Sequence, residues 1–349
     1  MLVGIHKDTY GKFCSFNEKY ETILKFNGIE TLRVEACQPD FWEIVQDMAL
    51  LIYRWRHTDD NRQIALSILP ILEREMGINC FPNLATCWHF DDKIVEYLLL
   101  KQHGFPAIPC WIFWNKKRAL SWVNKAQFPL VFKLKGGAGA NNVTLVHEKR
   151  QAKKLIKRMF ADGIRSGHIP DKDAVRYKDA SLYKKIHKMG GDLLRIFRGE
   201  DLEENWKVHK NYVLFQKFLP NNDFDTRITV IGDRAFAFRR FTRNNDFRAS
   251  GSGSIDYDMG KINLEAVKLA FSASKKLKFQ SMAYDIILDD QSKPKIIEIS
   301  YTYMDYAVAK CTGYWDQDLN WHEGHFWPQY CQLQDALNLY ELKQPDLDI

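Results

Sequence analysis

Short β-prone runs alternate with amphipathic stretches over the first 85 residues. Apolar side chains recur at helical spacing over 18–26, and Gly28 is a natural end for that helix. Asp40 is placed to cap a second helix over 41–48. The predicted strands are 2–5, 29–34 and 49–55. This alternation predicts a small α/β domain over residues 1–85.

A second domain is predicted to begin near Pro82, where Pro82 and Asn83 interrupt the pattern. A helix over 91–102 closes near Gly104, and the segment 106–109 is extended because it carries two prolines. Further helical patterns cover 148–161 and 263–277. The predicted strands are 130–134, 143–146, 212–218, 227–232, 235–241, 282–288 and 295–299. The whole chain is therefore expected to be an α/β (α+β) protein.

Composition indicates a folded protein and excludes a disordered or collagen-like chain. The chain has 349 residues, of which 46% are hydrophobic, enough to build a core. No apolar run approaches the length that spans a bilayer, and the first residues lack an export signal. The seven cysteines include no Cys-x-x-Cys pair and are expected to be reduced thiols. We therefore expect a cytoplasmic protein with no transmembrane segment.

Charge is distributed unevenly. Lys and Arg number 50 against 44 Asp and Glu, and the net charge of +6 is too mild to require a nucleic acid partner. The segment 150–217 holds 17 of these basic residues and 9 acidic ones. Such a segment is either a solvated insertion or a wall that attracts phosphate or an acidic substrate.

A glycine-rich loop lies between two predicted strands. Residues 133–142 include Gly136, Gly137 and Gly139, which would let backbone N–H groups approach an anion. A P-loop and a dinucleotide-binding loop both open a helix, whereas a strand follows here. A protein-kinase loop is excluded because neither His-Arg-Asp nor Asp-Phe-Gly follows. Two interpretations of the glycine-rich loop therefore remain: a phosphate-binding loop and an ordinary surface hairpin.

Two acidic residues interrupt predicted strands that are otherwise apolar. Asp285 lies in 282–288 and Glu298 in 295–299, and the turn 289–293 would bring them together. Because an unpaired buried carboxylate is costly, two acids on adjacent strands favour a divalent cation. The alternative is that both acids lie on the solvent-facing side of half-buried strands.

Two further motifs complete the pattern. The helix at 91–102 contains Asp92-Lys93, and residues 225–232 read Asp-Thr-Arg-Ile-Thr-Val-Ile-Gly. In this order the motifs resemble the ATP-grasp superfamily, particularly ribosomal-protein glutamate ligases, glutathione synthetases and D-alanine-D-alanine ligases. The resemblance covers residues 82–305 and implies an ATP-grasp fold after an N-terminal α/β pre-ATP-grasp domain.

The resemblance also implies a division of the chain into domains. The pre-ATP-grasp domain covers 1–85, the ATP-grasp domain covers 86–330, and a C-terminal tail covers 331–349. Within the ATP-grasp domain, a nucleotide lid subdomain with the basic insertion covers 86–210. A catalytic, metal-binding subdomain covers 211–330.

The resemblance implies a set of nucleotide-binding residues. Two lysines would reach the phosphates, the glycine loop would close over them, a hinge strand would meet adenine, and an acid would meet the ribose hydroxyls. These residues are Lys93, Lys133, Gly136, Gly137, Gly139, Gln216, Lys217, Phe218, Leu219 and Asp223.

The resemblance further implies catalytic and metal-binding residues. Arg240 would stabilise charge on the transferred phosphoryl group, and Arg227 and Arg248 would face substrate or phosphate. The residues that would hold two Mg²⁺ ions are Asp285, Glu298 and Ser300. This sequence departs from the family's pattern at three positions: Ser300 and Ser250 stand where asparagine is usual, and Lys217 stands where an acid is common.

An aromatic segment follows the second acidic strand. Residues 301–330 contain nine Phe, Trp and Tyr residues. They either pack against the catalytic subdomain or line an acceptor pocket for a sugar or a small polar substrate. His322 and His325 are three residues apart, so they do not form the His-Glu-x-x-His motif of a zinc protease, and a separate metal site is the third alternative.

Together these features predict an ATP-dependent carboxylate-amine ligase that forms an amide through an acylphosphate. Its substrates would be a small carboxylate and an amine or amino sugar, within surface-glycan or amino-acid chemistry, and its cofactors ATP and Mg²⁺. The sequence also allows a homodimer. The alternatives are an ATP-grasp kinase that phosphorylates a sugar hydroxyl and an ATP-binding protein without catalysis.

Overall fold

Three large β-sheets and one two-stranded sheet organise the described part of the protein. The computed structural model describes residues 1–7, 13–55, 59–137, 142–166, 169, 208–243, 246–249 and 253–347. Gly139 and Ser250, which the sequence analysis singled out, lie outside these residues, as does most of the basic segment between 167 and 207. Mixed helices and sheets confirm the predicted fold class.

The first sheet is parallel, with strand order β2-β1-β3-β4. Its strands are β1 (Leu2–His6), β2 (Glu30–Val34), β3 (Leu50–Ile52) and β4 (Cys80–Phe81). The helices are α1 (Ser15–Phe26), α2 (Phe41–Ile44), α3 (Asp59–Pro70) and α4 (Leu84–Cys87). Helix α1 buries Phe16, Tyr20, Ile23 and Leu24, which recur on one helix face and cover the sheet.

Two details of this region differ from the prediction. The helix expected over 41–48 is the short α2 followed by a 3₁₀ turn, Val45–Asp47. The helix α3, which the sequence pattern did not indicate, ends at Pro70 and continues as a π turn, Ile71–Glu75. Proline lacks the N–H that a regular helix needs, so Pro70 interrupts the helical pattern in the sequence.

The second sheet is antiparallel, with strand order β5-β10-β6-β7. In chain order the elements around it are α5 (Lys93–Gln102), β5 (Cys110–Phe113), α6 (Lys116–Val123), β6 (Leu130–Lys133), β7 (Val143–Val146), α7 (Lys149–Met159), β8 (Ile164–Arg165), β9 (Val208–His209) and β10 (Val213–Lys217). Helices α6 and α7 are neighbours, and their apolar faces form a core of their own with this sheet. Strand β10 lies inside this sheet, beyond the predicted lid boundary at residue 210.

The third sheet is also antiparallel, with strand order β15-β14-β11-β12-β16-β17, and β13 pairs with β12. Its elements are β11 (Phe224–Ile231), β12 (Arg234–Phe241), β13 (Ile255–Asp256), a 3₁₀ turn (Met259–Lys261), α8 (Leu264–Leu277), β14 (Ser281–Leu288), β15 (Pro294–Ser300), α9 (Asp305–Ala309), β16 (Gly313–Trp315) and β17 (Trp321–Glu323). Its core is continuous with that of the first sheet, because Trp55 and Tyr53 share one buried cluster with Ile228, Met282 and Tyr284.

The last helix, α10 (Pro328–Leu337), joins the end of the chain to the first sheet. It packs against α1, and Leu333 lies in the core beneath that helix. The predicted boundary at residue 330 falls inside α10. The hydrophobic pattern hides this helix because its buried face carries glutamines; Gln332 donates to Ser281 Oγ (3.0 Å) and to Tyr303 OH (2.7 Å).

Candidate functional site

The second and third sheets face each other across a narrow cleft, and α5 forms one end of it. Asp92 caps α5 by accepting from the backbone N–H groups of Ile94 and Val95, at 3.2 and 3.3 Å. The cap fixes Lys93 as the first helical residue. The Lys93 ammonium donates to Gly137 O (2.9 Å) and pairs with Glu298 Oε1 (3.0 Å) on β15. One lysine therefore connects the glycine loop with an acidic strand.

Lys133, at the end of β6, faces the same cleft. Its side chain is 5% exposed, yet within the described part of the chain its ammonium has no hydrogen bond or ion pair. Burial lowers the pKa of Lys133 because it penalises the charged form. The cavity beside it, of about 10 Å³, is lined by Lys93, Glu96, Cys110, Lys133, Gln216 and Glu298, among others. A buried cation aimed at a polar cavity is an anion-binding feature.

Glu96 is a second carboxylate in this cavity and, unlike Glu298, it is buried; the sequence analysis did not assign it a role. Its side chain is 3% exposed and accepts from the backbone N–H of Ile299 at 3.5 Å. Burial raises its pKa well above the usual value, and the nearby Glu298 carboxylate raises it further. The signal in the sequence is its spacing: Glu96 lies one helical turn after Lys93 and so shares its face.

Close backbone approach explains the glycines at 136 and 137. Gly137 has φ +100°, and a Cβ atom there would lie 1.9 Å from Asn142 Nδ2. A Cβ atom on Gly136 would lie 2.9 Å from Asp91 Oδ2. The Gly137 N–H donates to Asp91 Oδ1 at 2.7 Å. An anion that bound to this N–H would therefore take the place of the Asp91 carboxylate.

Arg227 and Arg240 lie in one buried ion network with two aspartates. Arg227 donates to both oxygens of Asp285, at 2.8 and 2.9 Å. Arg240 donates to both oxygens of Asp225, at 2.7 and 2.6 Å, and pairs with Asp285 Oδ2 at 2.8 Å. Burial would raise the pKa of Asp285, but the two guanidinium groups hold it well below the usual range. This network puts two arginines next to the predicted metal ligand.

The cross-strand register β11-β12 and β11-β14 creates this network. Arg227 lies opposite Asp285, and Asp225 lies opposite Arg240. Side chains of directly opposed residues point to the same face of a sheet, so four charged residues from three strands meet there. The third predicted catalytic arginine, Arg248, is separate: it pairs with Asp246 (2.8 Å) and donates to Val143 O on β7 (3.0 Å).

The predicted metal ligands lie on the hairpin β14-β15. Asp285 is directly opposite Glu298 in register, as the turn 289–293 predicts. Ser300 follows on the same strand, but its hydroxyl donates to Thr302 O at 2.8 Å. Carboxylate oxygens suit Mg²⁺, so Asp285 and Glu298 fit the ion in chemistry and position. No group of three His, Cys, Asp or Glu side chains that could share a metal occurs within the described residues.

The predicted hinge residues continue from β10 at the edge of the cleft. Gln216 is buried in the cavity and lies 3.5 Å from Cys110 Sγ. Lys217 is exposed, and its backbone N–H donates to Pro109 O at 2.9 Å. Phe218 packs edge-on against Phe247. Leu219 and Asp223 offer their backbone carbonyls to Asn222 (3.5 Å) and Thr242 (2.8 Å).

Most aromatic residues of 301–330 pack inside the protein. Tyr301 donates to Trp55 O at 2.9 Å, and Tyr303 shares hydrogen bonds with Ser281 and Gln332. Trp315 and Trp327 are 3% and 4% exposed. These contacts support the packing interpretation of the segment.

Comparison with solved structures identifies the fold. The chain is similar to the ATP-grasp RimK domain protein from Sphaerobacter thermophilus, at 12% identity and a TM-score of 0.52, over 88% of this chain and 93% of that one. It is similar to the ATP-grasp ligase PsnB in complex with a minimal precursor, at 13% identity and a TM-score of 0.54, over 97% of both chains. It is also similar to the D-cycloserine synthetase DcsG, at 12% identity and a TM-score of 0.55, over 98% of this chain and all of that one.

These similarities show that the chain has the ATP-grasp fold, which confirms the fold implied by the resemblance of its motifs. No protein-family model and no curated protein matches the chain. None of the helices in the described ranges has the length and apolar character needed to cross a membrane.

Proposed function

We propose that this protein is an ATP-dependent carboxylate-amine ligase. The observation that carries the proposal is the Lys133 ammonium, which is buried in the cavity that Lys93 and Glu298 also line and has no ionic partner among the described residues. A buried, unpaired charge costs stability, and a phosphate-bearing substrate would supply the missing partner. The similar solved structures support this class, because PsnB is an ATP-grasp ligase and DcsG is a D-cycloserine synthetase.

The cleft residues would divide the phosphoryl chemistry between them. Lys93 and Lys133 would bind the ATP phosphates, and Gln216 to Leu219 would border the adenine. Asp285 and Glu298 would hold magnesium, which when bound neutralises charge on phosphoryl oxygens. For Asp285 to bind the ion, its bonds to Arg227 and Arg240 must loosen. Those arginines would then be free to stabilise the phosphoryl group in transfer.

The reaction would proceed in two displacements. A carboxylate oxygen of the substrate attacks the γ-phosphorus of ATP, and ADP leaves with the electron pair of the broken bond. The amine then attacks the acyl carbon, phosphate leaves, and the amine nitrogen loses a proton. We propose a small carboxylate and an amine or amino sugar as substrates; PsnB was solved with a peptide precursor, so a peptide belongs in the same test.

The test is ³¹P NMR of the protein with ATP, Mg²⁺ and pooled amino acids, amino sugars, sugar acids and short peptides. A ligase gives ADP and free phosphate in equal amounts, only when acid and amine are both present. Glu298→Gln should abolish turnover, and the matched variant Glu323→Gln, at an exposed position on β17, should retain it. A new phosphoester signal without free phosphate would instead establish a kinase, and near-normal turnover by Glu298→Gln would refute the metal assignment.

A further inference from the structure

The outer surface of α6 and α7 is strongly cationic. Residues 116–160 contain 12 Lys and Arg and a single acid, Glu148, a net charge of +11. The whole chain carries +6, so everything outside this segment carries −5. The basic surface is formed by Lys116, Lys117, Arg118, Lys125, Lys149, Arg150, Lys153, Lys154, Lys157 and Arg158. We refer to these ten residues as the basic face.

The basic face is not part of the cleft. Helices α6 and α7 bury Ala119, Val123, Leu155 and Ile156 toward the second sheet, so their charged residues point away from it. Lys133, by contrast, lines the cavity on the cleft side. Within the described part of the chain, none of the ten cations forms an ion pair with Asp or Glu. Among the residues that the structure describes, this concentrated charge therefore has no acidic counterpart.

The cations of α7 form two rows along the helix. One row is Lys149, Lys153 and Lys157, and the second is Arg150, Lys154 and Arg158. A step of four residues advances about 6 Å along a helix. Side chains on one side of an extended peptide repeat about every 6.7 Å. A strand with alternating acidic residues would therefore match the repeat of either row.

The size of the basic face also favours a peptide over a nucleic acid. Helix α7 is about 16 Å long, the length of about five extended residues. A nucleic acid duplex carries charge continuously and would extend past the basic face, where the rest of the chain has a net charge of −4 and repels it. A short acidic peptide segment, by contrast, fits within the length of the basic face.

We propose that the basic face is a docking surface for an acidic polypeptide segment, at a site separate from the ATP cleft. Recognition rests on charge complementarity between glutamate or aspartate side chains and the two rows of α7, extended by the cations of α6. The proposal does not depend on the ligase chemistry, and a loss of docking leaves the cleft residues intact.

The test is fluorescence anisotropy of a labelled polyglutamate peptide of about ten residues, titrated with the full-length protein. The wild type should bind it and release it as salt rises, because screening weakens exposed charge pairs. The K149E/K154E/K157E variant should lose affinity by about tenfold or more, since it reverses three exposed cations of α7. The matched K268E/K275E/K276E variant, on the exposed side of α8, should change it by less than about twofold.

Three results would overturn the proposal. One is the absence of saturable binding at low salt, and another is an equal loss of affinity in the two variants, which would indicate a net-charge effect. The third is tighter binding of duplex DNA or oligo-dT than of the peptide, which would assign the basic face to nucleic acid. Far-UV circular dichroism checks that both variants are folded.

Discussion

Replacing Lys133 should stabilise the protein and remove its response to nucleotide. The Lys133 side chain is 5% exposed and has no ionic partner in the described residues, so the folded state bears a desolvation penalty that the nearby Glu298 carboxylate offsets only in part. Protein mutational data put that penalty at about 1–3 kcal/mol for a buried polar group. In Lys133→Met the charge is gone and the volume is similar. We expect thermal unfolding of the ligand-free variant to shift upward by several degrees, at about 2–4 °C per kcal/mol.

The response to ATP separates a functional lysine from a structural one. A ligand at about 100 times its Kd stabilises a protein by about 2.7 kcal/mol. The wild type should show this rise in Tm with Mg²⁺-ATP, and Lys133→Met should not. Lys135 is the matched control: it pairs with Asp92 at 3.2 Å, so Lys135→Met should lower stability. The reasoning is refuted if Lys133→Met unfolds at a lower temperature than the wild type and keeps the ATP-induced rise.

Two further predictions concern buried charge. Asp225→Asn should lower the free energy of unfolding in urea by about 3 kcal/mol, because it leaves the buried Arg240 guanidinium short of a counterion. The control is Glu265→Gln, which removes an exposed ion pair with Lys293 and should change that free energy by less than about 0.5 kcal/mol. Equal changes in the free energy of unfolding of the two variants would contradict the buried ion network. Burial lowers the pKa of His89 to about 3, and neither ring nitrogen has a hydrogen bond partner within the described ranges. Below its ordinary pKa of about 6.5 only the unfolded state takes up the proton, so stability falls by about 2 kcal/mol between pH 6.5 and 5. His89→Phe should remove that part of the acid sensitivity. If the unfolding free energies of the wild type and His89→Phe fell in parallel as the pH is lowered, the assignment to His89 would be wrong.

The strands that carry the site were predictable because their patterns are local. The predicted strand 143–146 has the observed bounds, and the predicted runs around Asp285 and Glu298 form neighbouring strands joined by the expected turn. Each run is apolar, ends at a turn and needs no distant partner to be recognised. The helix α10 escaped detection because three glutamines occupy its buried face, and two of them, Gln329 and Gln332, form hydrogen bonds with distant residues such as Asp305 and Tyr303.

The sequence by itself determined most strands of the second and third sheets, the ATP-grasp motifs, and Lys93, Lys133 and Glu298 of the cleft, because each depends on residue type and short-range spacing. Tertiary structure alone decided which charges meet. It paired Lys93 with Glu298 and, in the part of the chain that the structure describes, left Lys133 without an ionic partner. It also enclosed Asp285 between Arg227 and Arg240 and placed Glu96 in the same cavity. Register and packing bring together residues far apart in the chain, and burial then sets the energy of each charge.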